Sequence, residues 1–271
     1  MIDFNDPYIL LGLLPFLLTV AMMALLRFYM GEGLGNTLAS SSLVVAFLVT
    51  LTIYAGLPGW PASGQEEVLT YLCLFSLLYG FLLDRFPGLD AANIFFKSVI
   101  PVAGVFWTFS PSDALSFSGA EFRGLALVTI LALGYFLKME QDWQDGLDLA
   151  LPLCAVGLGG MIIAWSDGQG VTGDILLAYV SALAGYTILN LPKRRFPLGA
   201  AGFFPSFLVI LTCLLAIVME KPSLSPAIIL LSLIMMADNI GRHLPIQLPY
   251  QGKRAVVIAG LLILSVAAAN I

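Results

Sequence analysis

Cations fall in, or at the edge of, every second gap between the long apolar runs of this 271-residue chain. Short cytoplasmic loops of membrane proteins keep lysine and arginine because moving these charges across the bilayer during insertion is disfavoured. The alternation therefore predicts a multi-pass membrane protein and assigns each loop to one side. Ten of the twelve cations follow the pattern, namely Arg27, Arg85, Lys97, Lys138, Lys193, Arg194, Arg195, Arg242, Lys253 and Arg254. The intervening gaps hold only Arg123 and Lys221.

Composition and the form of the runs predict helices rather than strands. The chain is 59% hydrophobic and 11% charged, whereas a soluble domain is about 45–50% apolar and about 25% charged. The runs are continuously apolar, while strands of a transmembrane barrel alternate apolar and polar residues. Several runs are shorter than the roughly 17–25 residues of a spanning helix, so those helices are expected to include loop residues. The ten predicted spans cover residues 8–26, 37–55, 68–83, 94–109, 125–137, 149–165, 175–191, 203–218, 227–237 and 255–269.

These observations predict one all-α domain over residues 1–271, a polytopic integral membrane bundle of about ten helices. An even number of spans, with cations after each odd-numbered span, places both termini on the periplasmic side of a bacterial cytoplasmic (inner) membrane. The acidic start of the chain lacks the positive segment of a signal peptide, so the first run is expected to remain as a helix. The net charge of −5 comes largely from outward loops and one acidic inner loop, which does not suggest a nucleic-acid partner.

Three groups of residues in or near the spans are predicted to be structural. Cys73, Cys154 and Cys213 lie within spans, without paired spacing or histidine partners, as is typical of apolar packing residues. The four tryptophans, Trp165 among them, lie near span ends, where an interfacial aromatic belt would place them. The glycines of segment 157–160 allow a close helix contact, either inside the bundle or with another subunit.

The loop over residues 138–148 is the only acidic inner loop, with four carboxylates within nine residues. Carboxylates this close repel one another unless a cation neutralises them. Asp145 and Asp148 are three residues apart, so a helix that starts at Asp142 would place both on one face. Such a cluster suits a hard divalent cation such as Mg²⁺, while the alternative is that these acids stabilise a helix N-terminus.

Three further inward segments carry ionisable residues, which are costly near the membrane and are therefore candidates for function. Asp84 and Arg85 follow the third span, where one interpretation is a helix-end ion pair with Arg85 as an inner anchor. The run Lys193–Arg195 precedes the small residues 199–202, which could receive phosphate through charge and exposed backbone N–H groups, or the run is simply a topological anchor. His243 is the chain's single histidine and a weak indication of a metal site.

In chain order, these segments resemble the motifs of the polyprenyl-phosphate sugar-1-phosphate transferases. These integral membrane enzymes are of the glycosyltransferase family 4 type, which includes phospho-MurNAc-pentapeptide translocase. The resemblance covers roughly half of the chain, and the collinear order of its pieces carries more weight than any single piece. The matching stretches are residues 83–86, 145–148, 163–169, 188–191, 194–196, 198–202 and 224–238.

The resemblance implies magnesium-assisted phosphoryl transfer at the inner membrane face. A polyprenyl phosphate attacks a nucleotide-sugar diphosphate and releases a nucleoside monophosphate, while metal and carboxylates neutralise charge on the reacting oxygens. On this basis Asp84, Asp145 and Asp148 are the remnant catalytic residues. Mg²⁺, if bound, would be held by Asp142 and Asp145. The phosphate-binding residues would be Lys193, Arg194 and Arg195.

The sequence departs from the family pattern at several points. The expected Asp-Asp pair after the third span is Leu83-Asp84, and the aspartate expected in the glycine turn is Ala200. Asparagines that lead into the Asp-Gly-x-Asp motif are missing, with Met139 and Asp142 at the corresponding places. The late histidine cluster is reduced to His243. These losses remove much of the machinery for holding metal and diphosphate.

The resulting prediction is a catalytically impaired relative of these transferases. It would bind a polyprenyl phosphate, or a partner, in a lipid-linked envelope polysaccharide pathway, and the partners considered are glycan-assembly membrane proteins and a second copy of the chain. One alternative is an active Mg²⁺-dependent transferase with relocated ligands. The other is a transporter or a small membrane subunit of a larger complex, although the spans carry few polar residues at mid-depth.

Overall fold

The computed structural model describes residues 6–60, 62, 65–85, 126–134 without 128 and 133, 146–191, 196–245 and 249–270. Within these ranges every regular element is a helix. Short 3₁₀ turns, Pro222–Leu224 and Leu233–Met236, flank one of the helices. In chain order the helices are α1 Pro7–Ala39, α2 Ser41–Ala55, α3 Gln65–Arg85, α4 Gly146–Ser166, α5 Gly170–Leu189, α6 Gly199–Glu220, α7 Ser225–Ser232, α8 Ala237–His243 and α9 Tyr250–Ala269.

Seven helical segments in the described part of the chain are long and apolar enough to cross a membrane. The predicted helical membrane bundle is therefore confirmed in its coarse form. The span predicted at 94–109 lies outside the described residues, whereas seven of the thirteen residues of 125–137 are described and are helical. The run at 37–55 forms α2, which has only 15 residues. The seven segments are Pro7–Gly31, Glu66–Arg85, Leu149–Ser166, Gly170–Leu189, Gly199–Glu220, Pro222–His243 and Gln251–Ala269.

Several spans are longer than the apolar runs within them, because those runs alone are too short to cross a membrane. The run at 227–237 lies inside the segment Pro222–His243, in which α7, a 3₁₀ turn and α8 follow one another without a break. Pro222 and Pro226 stand at the starts of the 3₁₀ turn and of α7, where a missing N–H costs nothing. Helical geometry thus continues through polar flanks that hydropathy alone leaves out.

The segment predicted as the first inner loop, residues 27–36, is helical. Gly31 breaks the regular geometry of α1 with φ 75° and ψ −172°, a conformation that glycine adopts without steric cost. After this break the chain turns back on itself. A Cβ added at Gly35 would lie 2.8 Å from the Leu26 carbonyl oxygen. The end of α1 therefore packs against its own first span before α2 begins at Ser41.

Burial identifies the helix at the centre of the bundle. The most apolar window of α6 is 89% buried, whereas those of α1 and α9 are 22% and 17% buried. The outer helices present apolar side chains such as Leu17 and Ile263 at the surface. In a membrane this surface faces lipid, so α6 is the element around which the others are arranged.

Glycines make close contacts between helices inside the bundle. A Cβ at Gly159 would lie 2.3 Å from the side chain of Leu231, and a Cβ at Gly157 would lie 2.7 Å from Val180. The glycines of segment 157–160 therefore face other helices of the same chain, which supports internal packing over a subunit contact. Gly80 has the closest backbone approach, because its Cβ would lie 2.5 Å from the Cα of Ala201. This contact brings α3 directly against α6.

Candidate functional site

One end of the bundle, here called the basic end, collects the described cations that follow the sequence pattern. Helix α3 ends at Arg85 where α6 begins, and the Arg27 guanidinium lies 5.6 Å from the centre of the Phe196 ring just before α6. The segment Pro222–His243 returns antiparallel to α6, so the end of α8 and the start of α9 lie at this end too. The described cations there are Arg27, Arg85, Arg242, Lys253 and Arg254.

The Asp84 carboxylate binds the N-terminus of α6. Its Oδ1 accepts a hydrogen bond from the Ala200 N–H at 2.8 Å, and its Oδ2 accepts one from the Ala201 N–H at 3.0 Å. The first N–H groups of a helix have no partner within the helix and carry a partial positive charge, which a carboxylate offsets. Asp84 is therefore an N-cap supplied by another helix, and it ties the end of α3 to the start of α6.

The backbone at Gly199 makes room for this carboxylate. Gly199 has φ +59°, a left-handed conformation that favours glycine, and a Cβ there would lie 2.9 Å from Asp84 Oδ2. Ala200 is 1% exposed and stands where the resemblance leads us to expect an aspartate. A second carboxylate at that position would lie beside Asp84 and repel it. The use of Asp84 as a cap and the loss of the turn aspartate are thus physically consistent.

The structure brings together two of the segments that the sequence singled out. Asp84 and the small residues 199–202 are in direct contact. One interpretation of residues 199–202 has their exposed N–H groups receive a phosphate, but the N–H groups of Ala200 and Ala201 donate to Asp84. In this geometry Asp84 is a positioning residue. Its assignment as a remnant catalytic residue stays a prediction.

Asn190 and Tyr186 hold the two ends of the segment that carries the basic run. The Phe196 N–H donates to Asn190 Oδ1 at 2.8 Å, and the Asn190 Nδ2 group donates to the Tyr186 carbonyl at 3.3 Å. The Tyr186 hydroxyl donates to the Phe196 carbonyl at 2.7 Å. Asn190 is completely buried. These bonds fix the chain at 190 and 196, on either side of residues 192–195.

No local signal in the sequence predicts this arrangement. Asn190 directly follows α5, but with φ −90° and ψ −2° it does not have the left-handed conformation that asparagine favours at helix ends. Lys193, Arg194 and Arg195 lie outside the described residues, so their phosphate-binding role stays a prediction.

The proposed metal ligands are outside the described part of the structure. Asp142 and Asp145 fall in the range 135–145, and of Asp148 only the backbone, in the first turn of α4, is described. Magnesium binding by Asp142 and Asp145 is therefore still a prediction, as are the catalytic roles of Asp145 and Asp148. Among the residues that are described, no group of three or more His, Cys, Asp or Glu could hold a metal ion.

The second carboxylate at the basic end is engaged with a cation. Asp238 Oδ1 lies 2.7 Å from the Nε atom of Arg254, a residue that is only 5% exposed. The Lys253 ammonium donates to the Leu244 carbonyl at 2.9 Å. These contacts join α8 to α9, while the side chain of His243 is exposed.

The opposite end of the bundle, here called the acidic end, carries most of the described carboxylates. The Lys221 ammonium forms an ion pair with Asp167, which also accepts a hydrogen bond from the Gln169 amide at 3.3 Å. Charge is thus segregated between the two ends of the bundle, as the alternation of cations along the sequence predicts. The described charged residues of this end are Asp6, Glu66, Glu67, Asp167, Asp174, Glu220 and Lys221.

No protein-family model matches this sequence, and a comparison with curated proteins finds no match. Membership of this chain in the polyprenyl-phosphate transferase family is accordingly a proposal. That proposal is supported by the collinear motifs, by the contact between Asp84 and residues 199–202, and by the segregation of charge.

Proposed function

We propose that this protein spans the bacterial cytoplasmic membrane with about ten helices, with the basic end in the cytoplasm and both termini in the periplasm. Cytoplasmic placement of the basic end follows from the cost of moving lysine and arginine across the bilayer. The described cations of the sequence pattern lie at one end, and six carboxylates lie at the other with a single lysine. This distribution supports one consistent orientation for the whole bundle.

We further propose that the basic end binds the phosphate of a polyprenyl phosphate and has lost the transferase reaction. The observation that carries this proposal is the bonding of Asp84 to α6. A carboxylate that serves a magnesium ion must present its oxygens to the metal. Both oxygens of Asp84 accept backbone N–H groups, from Ala200 and Ala201, so two of its about four lone-pair positions are used within the protein. The residue most similar to a family catalytic carboxylate is thus used to hold two helices together.

The cations of the basic end supply partners for an anionic ligand. Five are described there, together with the carboxylates of Asp84 and Asp238 and with Glu32 and Asp148, of which only the backbone is described. Asp84 is bound to the α6 N-terminus and Asp238 to Arg254. The cations of this end lie at the depth of lipid headgroups, where they attract a phosphate. Residues 193–195 would add three more cations next to α6, whereas the inner loop 138–148 would add Lys138 and the acids Glu140, Asp142 and Asp145.

A binding titration tests this proposal. Purified protein in lipid nanodiscs is titrated with undecaprenyl phosphate, with and without Mg²⁺, and undecaprenol serves as the ligand without phosphate. We expect saturable binding of the phosphate form that does not require Mg²⁺. Combined replacement of Lys193, Arg194 and Arg195 by alanine should weaken binding by about tenfold or more, or at least about 1.4 kcal/mol. Lys221→Ala, at the acidic end, is the matched control and should leave the affinity unchanged.

Two outcomes would contradict the proposal. Absence of saturable binding under both conditions would remove the lipid phosphate site, and co-purification with glycan-assembly membrane proteins or self-association would then test a scaffold role. Magnesium-dependent release of a nucleoside monophosphate from a nucleotide sugar, abolished by Asp145→Ala, would instead establish an active transferase with relocated ligands.

A further inference from the structure

Asp174 is a carboxylate at the acidic end whose described partners are all neutral. It lies in the second turn of α5, half-buried. Its Oδ2 accepts a hydrogen bond from the Tyr54 hydroxyl at 2.9 Å, and its Oδ1 accepts one from the Trp165 Nε1–H at 3.2 Å. Asp167, at the same end, is paired with Lys221. Asp174 forms no ion pair with any residue of the described ranges, so its charge is not offset there.

Two aromatic side chains contact this carboxylate through the polar atoms at their ring edges, and a third packs against Trp165. A Cβ added at Gly173 would lie 2.2 Å from Trp165 Cδ1, so the indole rests directly on the backbone of α5. The ring of Tyr8 meets Trp165 edge-on, with 6.0 Å between the ring centres, and Tyr8 is 63% exposed. Tyr8, Tyr54, Trp165 and Asp174 come from α1, α2, α4 and α5. Four helices therefore meet at one half-buried carboxylate, close to the exposed ring of Tyr8.

The chemistry of this group favours an organic cation over a metal ion. A carboxylate has about four lone-pair positions, and Asp174 uses two of them in the described contacts. The faces of tryptophan and tyrosine rings attract ammonium groups, and quaternary ammonium ligands are recognised by aromatic side chains in this way. Calcium takes about six to eight oxygen ligands, and the described residues supply no acidic cluster of that kind. Carboxylate and rings together suit one alkylammonium group.

We propose that Asp174, Tyr54, Trp165 and Tyr8 form a binding site for an organic ammonium group at the acidic end. The site lies at the opposite end from the polyprenyl phosphate site, and neither depends on the other. An ammonium group reaches this end either as the headgroup of a membrane lipid such as phosphatidylethanolamine or as a free soluble amine.

Fluorescence of Trp165 tests the site directly. The protein is the full chain with Trp60, Trp107 and Trp143 replaced by phenylalanine, in phosphatidylglycerol nanodiscs. The probe is tetramethylammonium chloride, and sodium chloride at equal ionic strength is the reference. We expect a saturable change in the Trp165 emission with tetramethylammonium that sodium does not produce. Failure of tetramethylammonium to produce more change than sodium would overturn the proposal.

Substitutions assign the binding to the carboxylate. Asp174→Asn removes the charge but keeps one carbonyl acceptor, and it should weaken tetramethylammonium binding by about tenfold or more. Asp167→Asn makes the same change in charge at the same end and should leave the affinity unchanged. An equal loss in both variants would overturn the site. If Asp174→Asn does not fold, Tyr8→Ala is the variant to test, because this exposed ring can be removed without opening the core. An unchanged affinity of Tyr8→Ala for tetramethylammonium would overturn the proposal.

The source of the ammonium group is distinguished by changing the lipid. In phosphatidylethanolamine nanodiscs, a lipid-derived ligand should already occupy the site, so the response to tetramethylammonium should be lost or shifted to higher concentration. An equal response in both lipids indicates a soluble amine. Both results uphold an ammonium site, and each identifies its ligand.

Discussion

Replacing Asp84 with alanine should loosen the basic end, because the change removes the acceptor of two N–H groups at the start of α6. The bonds to Ala200 and Ala201 measure 2.8 Å and 3.0 Å. Loss of an N-cap costs about 0.5–2 kcal/mol, and hydrogen bonds to a charged group contribute about 1.5–3 kcal/mol each. Asp84 is half-buried, so water can reach the freed N–H groups in part. We expect a loss of about 2–3 kcal/mol in the free energy of unfolding for Asp84→Ala.

The size of this effect can be measured by unfolding the detergent-solubilised protein with sodium dodecyl sulfate, followed by circular dichroism. Asp84→Asn keeps an acceptor oxygen and should lose only about 1 kcal/mol. Asp6→Ala is the matched control, since Asp6 caps α1 through one exposed bond to the Tyr8 N–H at 2.9 Å. It should cost no more than about 1 kcal/mol. Wild-type stability in Asp84→Ala, or an equal loss in Asp6→Ala, would refute the role assigned to Asp84.

Two further predictions concern helix packing and orientation. Gly80→Ala would place a Cβ 2.5 Å from the Cα of Ala201, so it should lower the unfolding free energy by about 1–3 kcal/mol. The control Gly12→Ala adds a Cβ with nothing within 4 Å and should be neutral or stabilising. Equal effects of the two substitutions would contradict the close contact of α3 and α6. In a cysteine-free background, a membrane-impermeant maleimide should label Arg85→Cys only from the cytoplasmic side and Trp60→Cys only from the periplasmic side; labelling of both from one side would contradict the orientation.

Hydropathy located the described helices because each apolar run favours transfer into lipid independently of the other runs. The runs at 149–165, 175–191 and 203–218 correspond to α4, α5 and α6 within a few residues. The helical end of α1 was missed, since it depends on a left-handed glycine at Gly31 and on the contact of Gly35 with Leu26. Contacts of this kind join residues that local composition does not connect.

For the candidate sites too, the local sequence indicated the region but not the long-range contacts within it. The sequence indicated that Asp84 and residues 199–202 belong to one region, because both are inward segments of the same family pattern. It did not indicate that the carboxylate would accept the N–H groups of α6, which depends on the close approach of Gly80 to Ala201.

The ammonium site had no signal that the sequence could reveal. Its members are spread from Tyr8 to Asp174, and each occupies an ordinary position near the end of a span. Trp165 was interpreted as part of an interfacial belt, which is also the usual role of a tryptophan there. Only the meeting of four helices brings these side chains around one carboxylate.

Photocrosslinking would test the central claim most directly, namely that the basic end holds a polyprenyl phosphate without carrying out transfer. The purified protein is irradiated with a polyprenyl phosphate that bears a diazirine next to the phosphate, and the modified peptides are identified by mass spectrometry. The account predicts modification around Arg85 and residues 192–198, suppressed by unlabelled polyprenyl phosphate but not by polyprenol. Modification confined to the acidic end, or labelling that polyprenol suppresses equally well, would contradict it.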